Sequence, residues 1–124
     1  MKTIYAPISI GELLDKISIL EIKLVNTNSA EKLANINNEL QGLRELWTET
    51  NGEIQTLYHD LKAINLKIWD IEDHIRELEK QQRFDQEFID TARAVYINND
   101  IRATIKKQIN TLTDSYIVEE KCYA

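Results

Sequence analysis

From Leu33 to Leu78 apolar side chains recur at alternating steps of three and four residues: Leu33, Ile36, Leu40, Leu43, Trp47, Thr50, Ile54, Leu57, Leu61, Ile64, Ile68, Ile71, Ile75 and Leu78. Thirteen of these fourteen positions are apolar, so the stretch is a helical stripe that needs another helix to cover it. Unbroken, it would run about 70 Å, roughly twice the diameter of a domain of this size. Asn51-Gly52, beside the polar Thr50, is a break signal. The spacing therefore predicts a hairpin of helices over about 30–50 and 53–80. A continuous antiparallel or dimeric coiled coil is the alternative, because glycine costs only about 1 kcal/mol inside a helix.

Upstream, Ser9 and Glu12 form a capping box that opens a helix running to about Val25. Nine of its sixteen residues are aliphatic (Ile10, Leu13, Leu14, Ile17, Ile19, Leu20, Ile22, Leu24, Val25). They surround most of the helix, which makes it the central element or part of a subunit interface. Asn26–Ser29 reads as a turn, with Ser29 as the next N-cap.

Downstream, Phe88, Ile89, Ala92, Val95 and Tyr96 point one way on a helical wheel. Ile101, Ile105, Ile109 and Leu112 point about 145° away. Asn98-Asn99-Asp100 lies between the two sets and reads as a break, with Asp100 capping a last helix over about 101–113. A break there would also offer helix-terminal N–H groups to a ligand. Residues 2–8 look extended, Pro7 restricting its predecessor, and Tyr116-Ile117-Val118 is β-prone. The two ends are expected to pair as a small β-ribbon. The fold class is all-α: a single helical domain of four or five helices.

A chain of 124 residues with three Gly and one Pro can bury a core without metal or disulfide staples. Its net charge of −6 argues against nucleic-acid and anionic-membrane partners, which need a basic field. No apolar run approaches the ~18 residues of a membrane span. The single cysteine, Cys122, fits a reducing compartment, and a cytoplasmic location is expected.

Three groups of residues are candidates for chemistry. The first is acidic: Asp70 and Asp73 with Glu87 and Asp90 place two i, i+3 carboxylate pairs on successive helices, an arrangement suited to Mg²⁺. It is loosely similar to all-helical nucleoside-triphosphate pyrophosphatases, with Asp/Asp where those proteins pair Glu/Glu. The alternative reading is ion pairing within helices, Glu72–Arg76, Glu79–Arg83 and Asp90–Arg93. The second is the stripe Lys62, Asn65, Trp69, Glu72, Arg76 and Glu79, where an indole beside Arg and Glu suits stacking on a ring. The third is basic, Arg93, Arg102, Lys106 and Lys107 beside Tyr96 and Asn99, and suits a phosphate or carboxylate. Inward basic residues in a helical bundle are similar to chorismate mutase, but the first helix lacks the Arg such sites use. His59 and His74 lack metal spacing and read as rim residues.

The blocks "ISIGELLDKISILEIK", "LKIWDIEDHIRELE", "FIDTARAVYINNDIRATIKKQIN" and "IVEEKCY" together resemble a family of small bacterial and phage proteins known as a domain of unknown function. The likeness runs from Pro7 to Tyr123 and is weakest over 27–60. In that family the region near Asn51-Gly52 tends to carry proline, which implies a helical break. Ser usually stands where this chain has Cys122, which argues against thiol chemistry. The resemblance brings no activity or cofactor, and it points to the blocks Trp69–Arg76 and Arg93–Lys106.

Nine apolar residues around the first helix and thirteen along one seam exceed what a monomer readily covers, so a homodimer is expected. Two functions stay open. One is a non-catalytic, oligomerising helical module that binds a protein or an acidic ligand, without cofactor. The other is a small metabolite-binding protein or enzyme for a phosphorylated or carboxylated substrate, its site formed by Trp69, Glu72 and Arg76 with Arg93, Tyr96, Asn99, Asp100, Arg102 and Lys106.

Overall fold

The computed structural model describes residues 1–48 and 51–123. Four helices follow one another: α1 (Ile10–Val25), α2 (Ala30–Glu45), α3 (Gly52–Lys80) and α4 (Gln86–Leu112). There is no strand among the described residues, and the fold is an all-α bundle. Among the described residues, no helix is long and apolar enough to cross a membrane.

Helix α1 begins at Ser9, whose side chain accepts from the Glu12 N–H at 3.0 Å. Eight of its sixteen residues are buried, against one in α2. It also approaches each of the other three helices closely, whereas α2 approaches α1 alone. Of the two roles its apolar girth allowed, α1 takes that of central element. Leu13, Leu14, Ile17 and Leu20 of α1 form the core with Leu40 of α2, Ile54, Leu61 and Ile64 of α3, and Ile109 of α4.

The break at Asn51-Gly52 is present. Asn51 caps α3, its side-chain oxygen accepting from the N–H groups of Glu53 at 2.8 Å and Ile54 at 3.4 Å. Helix α2 stops at Glu45 rather than near residue 50, and the seam position Thr50 lies outside the described residues. The seam does not form a coiled coil or a packed hairpin, because α2 and α3 make no close approach to each other. Helix α1 supplies the surface that both need: the α2 end of the stripe and the first half of α3 pack on α1. Helix α3 also pairs with α4 across the turn at residues 81–85.

The expected break at Asn98–Asp100 is absent, and α4 runs unbroken through the triplet. Its cap is Asp85, which accepts from the Phe88 N–H at 3.2 Å, not Asp100. The two apolar directions on the wheel have a different cause: α4 packs against two helices, α3 and α1. A straight helix with two partners needs two buried faces, and no kink is required. Asn98 is buried within α4, its amide donating back to the Ala94 carbonyl at 2.7 Å.

The ends meet, but not as a β-ribbon. Ser115 Oγ accepts from the Ile10 N–H at 3.1 Å, and Asn110 Oδ1 accepts from the Gly11 N–H at 2.7 Å. With Ser9 on Glu12, the N–H groups of the first turn of α1 are all taken by side chains, as a buried helix start requires. Helix α4 ends in a reversal in which Asp114 adopts φ 53° and the Ser115 N–H donates to the Asn110 carbonyl at 2.9 Å. That turn delivers Ser115 to α1. Tyr5 and Tyr116, which the ribbon would have covered, are 93% and 96% exposed.

Candidate functional site

Where α1, α3 and α4 meet, the otherwise apolar interior holds a connected set of polar side chains. Asp15, 1% exposed, lies at its centre. Its Oδ1 accepts from Arg102 Nε at 3.0 Å and from Asn65 Nδ2 at 2.8 Å, and its Oδ2 accepts from an η nitrogen of Arg102. Ser18, fully buried, donates its hydroxyl to the Asp15 carbonyl at 2.8 Å and accepts from Asn65 at 2.8 Å. A buried carboxylate is tolerated when its lone pairs are filled in this way. The hydrogen bonds to Asp15 hold the Arg102 guanidinium above its ordinary value, outweighing the opposing effect of burial.

One turn along α4, Lys106 extends the set outward. Its ammonium is 2.6 Å from Glu12 Oε2, 3.1 Å from Glu119 Oε2 and 3.7 Å from Asp15 Oδ2. Burial lowers the Lys106 pKa, but the three carboxylates outweigh it and the net shift is upward. Glu119 also takes Lys121 at 2.6 Å, so the segment after α4 is tied down over the helix by charge.

That segment roofs two adjoining cavities of about 250 Å³ each. One is lined by Asn99, Arg102, Ala103, Lys106, Lys121 and Tyr123. The other shares Ala103, Lys106, Lys121 and Tyr123 and adds Asp100, Thr104, Lys107, Asn110, Glu119 and Glu120. The first brings three cations together with no carboxylate in its lining, the donor-rich surface that a phosphate or carboxylate needs.

Of the candidate residues, Asn99, Asp100, Arg102 and Lys106 thus come together, with Lys107 beside them. Asn99 Oδ1 accepts from Arg102 at 3.4 Å. Arg93 and the 53%-exposed Tyr96 lie on the outer surface of α4 and line neither cavity. Trp69 and Glu72 are half-buried on α3 and also line neither, and Arg76 lines a separate shallow hollow with Asp73 and Glu79. The two blocks therefore do not converge on one cavity.

The acidic group does not gather either. Glu87 pairs with Arg83 and lies 3.4 Å from His74, and Asp90 accepts from Gln86 at 2.8 Å. Among the described residues, no group of three or more His, Cys, Asp or Glu side chains is placed to hold a metal ion. Of the intrahelical pairs proposed as the alternative, none closes to a salt bridge among the described residues, although Asp90 still acts on the Arg93 charge; Arg83 turns instead to Asp85 and Glu87. Cys122 is an exposed free thiol.

Asp15, Ser18, Glu12 and Glu119 were not among the candidates; Asn65 was, but with the Trp69 stripe, whereas its amide turns inward to Asp15 and Ser18. For Asp15 and Ser18 the signal lies in α1, where Gly11, Asp15 and Ser18 recur at steps of four and three residues. These small and polar residues form one buried stripe of an otherwise apolar helix. With this geometry in view, the sequence matches a family of unknown function, DUF6165, over residues 4–124. The chain belongs to that family. Neither a curated protein nor a solved structure matches it. The DUF6165 match spans all four helices and the segment 119–123 that borders the cleft.

Proposed function

We propose that this protein is a non-catalytic helical module that binds a small acidic ligand in the cleft between α4 and residues 119–123, and that two copies associate through α4. The ligand would carry a phosphate or carboxylate. The observation that supports this reading is the cavity lined by Arg102, Lys106 and Lys121 without a carboxylate in its lining. The acids that balance these cations stand outside it, Asp15 behind and Glu12 and Glu119 to the side. A binding role fits better than catalysis, since the Ser18 hydroxyl is spent on a backbone carbonyl and Asp15 is filled by Arg102 and Asn65.

Thermal unfolding with pyrophosphate, citrate and uncharged polyols tests the ligand reading. An anion present at about 100 times its dissociation constant adds about 2.7 kcal/mol and raises the midpoint by several degrees. Lys121→Glu should abolish that rise, since Lys121 lines the cavity and, among the described residues, its one ion pair is with Glu119. No rise with any anion, or the same rise in the variant, would overturn the assignment.

The association reading rests on the outer face of α4, where Ile89, Tyr96, Ile97 and Ile101 are each at least 45% exposed. An antiparallel, two-fold pairing centred between Tyr96 and Ile97 sets Arg93 of each copy against Asp100 of the other. Sedimentation of Arg93→Asp, Asp100→Arg and the double swap tests it. Each single change should give monomers and the double swap should restore dimers; a wild-type chain that stays monomeric at high concentration sinks the idea.

A further inference from the structure

We infer that the cavity between α1, α2 and α3 is a second ligand site, built for a small apolar monocarboxylate. It encloses about 330 Å³, at the small end of the range for such sites. Leu14, Ile17 and Ile54 line it, all three buried. That lining accepts a hydrocarbon body and rejects a polyanion.

The rim supplies the other half of the match. Glu21 stands there with both oxygens engaged, one by the Tyr58 hydroxyl and the other by an Arg44 η nitrogen at 2.7 Å. Lys62 lies 3.6 Å from the same carboxylate. Arg44 in the lining and Lys62 just outside it therefore set two cations against the one anion. Burial pushes the Glu21 carboxyl up, yet Tyr58, Arg44 and Lys62 together hold it below the ordinary glutamate value. It stays an anion and has no proton to offer a ligand.

Donors, by contrast, are in surplus. Arg44 has five N–H donors and uses one η nitrogen, on Glu21. The Trp47 indole N–H has no hydrogen-bond partner among the described residues. A ligand that fills this site has to bring acceptors and negative charge at one end, and an apolar ring or short chain at the other. The half-buried Trp47 ring provides a flat wall for it.

The test is an NMR titration of the whole chain with phenylpropionate and, in parallel, phenylpropylamine. The acid should shift the Trp47 indole and Arg44 Nε resonances saturably, with a dissociation constant of about 1 mM, as expected for a ligand of this size. The amine should bind at least about tenfold more weakly. Arg44→Ala should weaken the acid about tenfold, with Arg44→Lys recovering part of the loss. Arg44 is a surface side chain, and the spectrum itself reports whether each variant folds. Lys121→Glu should leave this titration unchanged, which separates the site from the α4 cleft. No saturable shift at Trp47, equal binding of the amine, or loss of binding in Lys121→Glu would overturn the proposal.

Discussion

Asp15 and Arg102, 87 residues apart in the chain, meet through two hydrogen bonds, Nε to Oδ1 at 3.0 Å and an η nitrogen to Oδ2. The pair joins α1 to α4 and sets the inner wall of the cleft, because Arg102 also lines it. A two-pronged guanidinium–carboxylate contact fixes orientation as well as distance.

Breaking this pair should therefore be costly. Arg102→Ala leaves a 1%-exposed carboxylate with only Asn65 and a more distant Lys106, and truncating one partner of a buried pair costs about 3–5 kcal/mol. Urea unfolding measures it. A loss under about 1 kcal/mol would show that Asp15 is adequately solvated without its partner.

Gly11 marks the closest approach of α1 to α4. A Cβ there would lie 2.7 Å from the Lys106 carbonyl oxygen and 2.9 Å from Asn110 Oδ1. Gly11→Ala should destabilise by about 1–3 kcal/mol, despite alanine's better helix propensity, since one helix has to move. Gly42, with nothing within 4 Å of its Cβ position, is the control: Gly42→Ala should stabilise by about 1 kcal/mol. Equal effects at the two sites would contradict the close contact.

Asn98 is 4% exposed, and its Oδ1 has no hydrogen-bond partner among the described residues. Such an atom keeps its desolvation cost without return. Asn98→Leu, nearly isosteric and a better helix former, should raise stability by about 1 kcal/mol. Thermal unfolding decides it, and a clear destabilisation would mean that the amide has a role its contacts do not reveal.

Acid should loosen the segment after α4. Hydrogen bonds from Lys121 and then Lys106 hold the Glu119 carboxyl below its ordinary value. A depressed carboxylate contributes stability above its unfolded pKa, about 4.3, and that contribution is lost as pH falls through the lower folded value. Backbone relaxation of residues 116–123 should thus be flat at neutral pH and show rising mobility in acid, below about pH 4.3. Glu119→Gln should be as mobile at pH 7 as wild type is in acid. An acid-insensitive segment would mean that other contacts hold it.

The all-α class, the cap at Ser9, the break at Asn51-Gly52 and the central place of α1 were legible because each rests on local chemistry or on the density of apolar residues. The seam from Leu33 to Leu78 was legible as helix but not as contacts, since periodicity says that a face is buried and not by what. The two directions on α4 carried the same ambiguity: two partners and one kink leave the same wheel. On α4, Arg102 and Lys106 stood out through their charge. Their counterpart Asp15 did not, because a lone acid in an apolar helix gains meaning only from residues 65, 102 and 106. Ser115 reads as a residue beyond the last helix and Asn110 as an ordinary position within it, yet both act as caps for a helix at the other end of the chain.

The capping of α1 by Asn110 and Ser115 has a consequence for the order in which the molecule is made. A ribosome adds α1 first, but the groups that close its first turn come about a hundred residues later. Arg102, the partner of Asp15, follows 87 residues after it, roughly 4–17 s at ordinary rates of synthesis. For that interval the most apolar helix of the chain has an uncompensated acid on its flank and an open end. The nascent protein therefore cannot bury its own centre, and its core closes only when the end of α4 arrives.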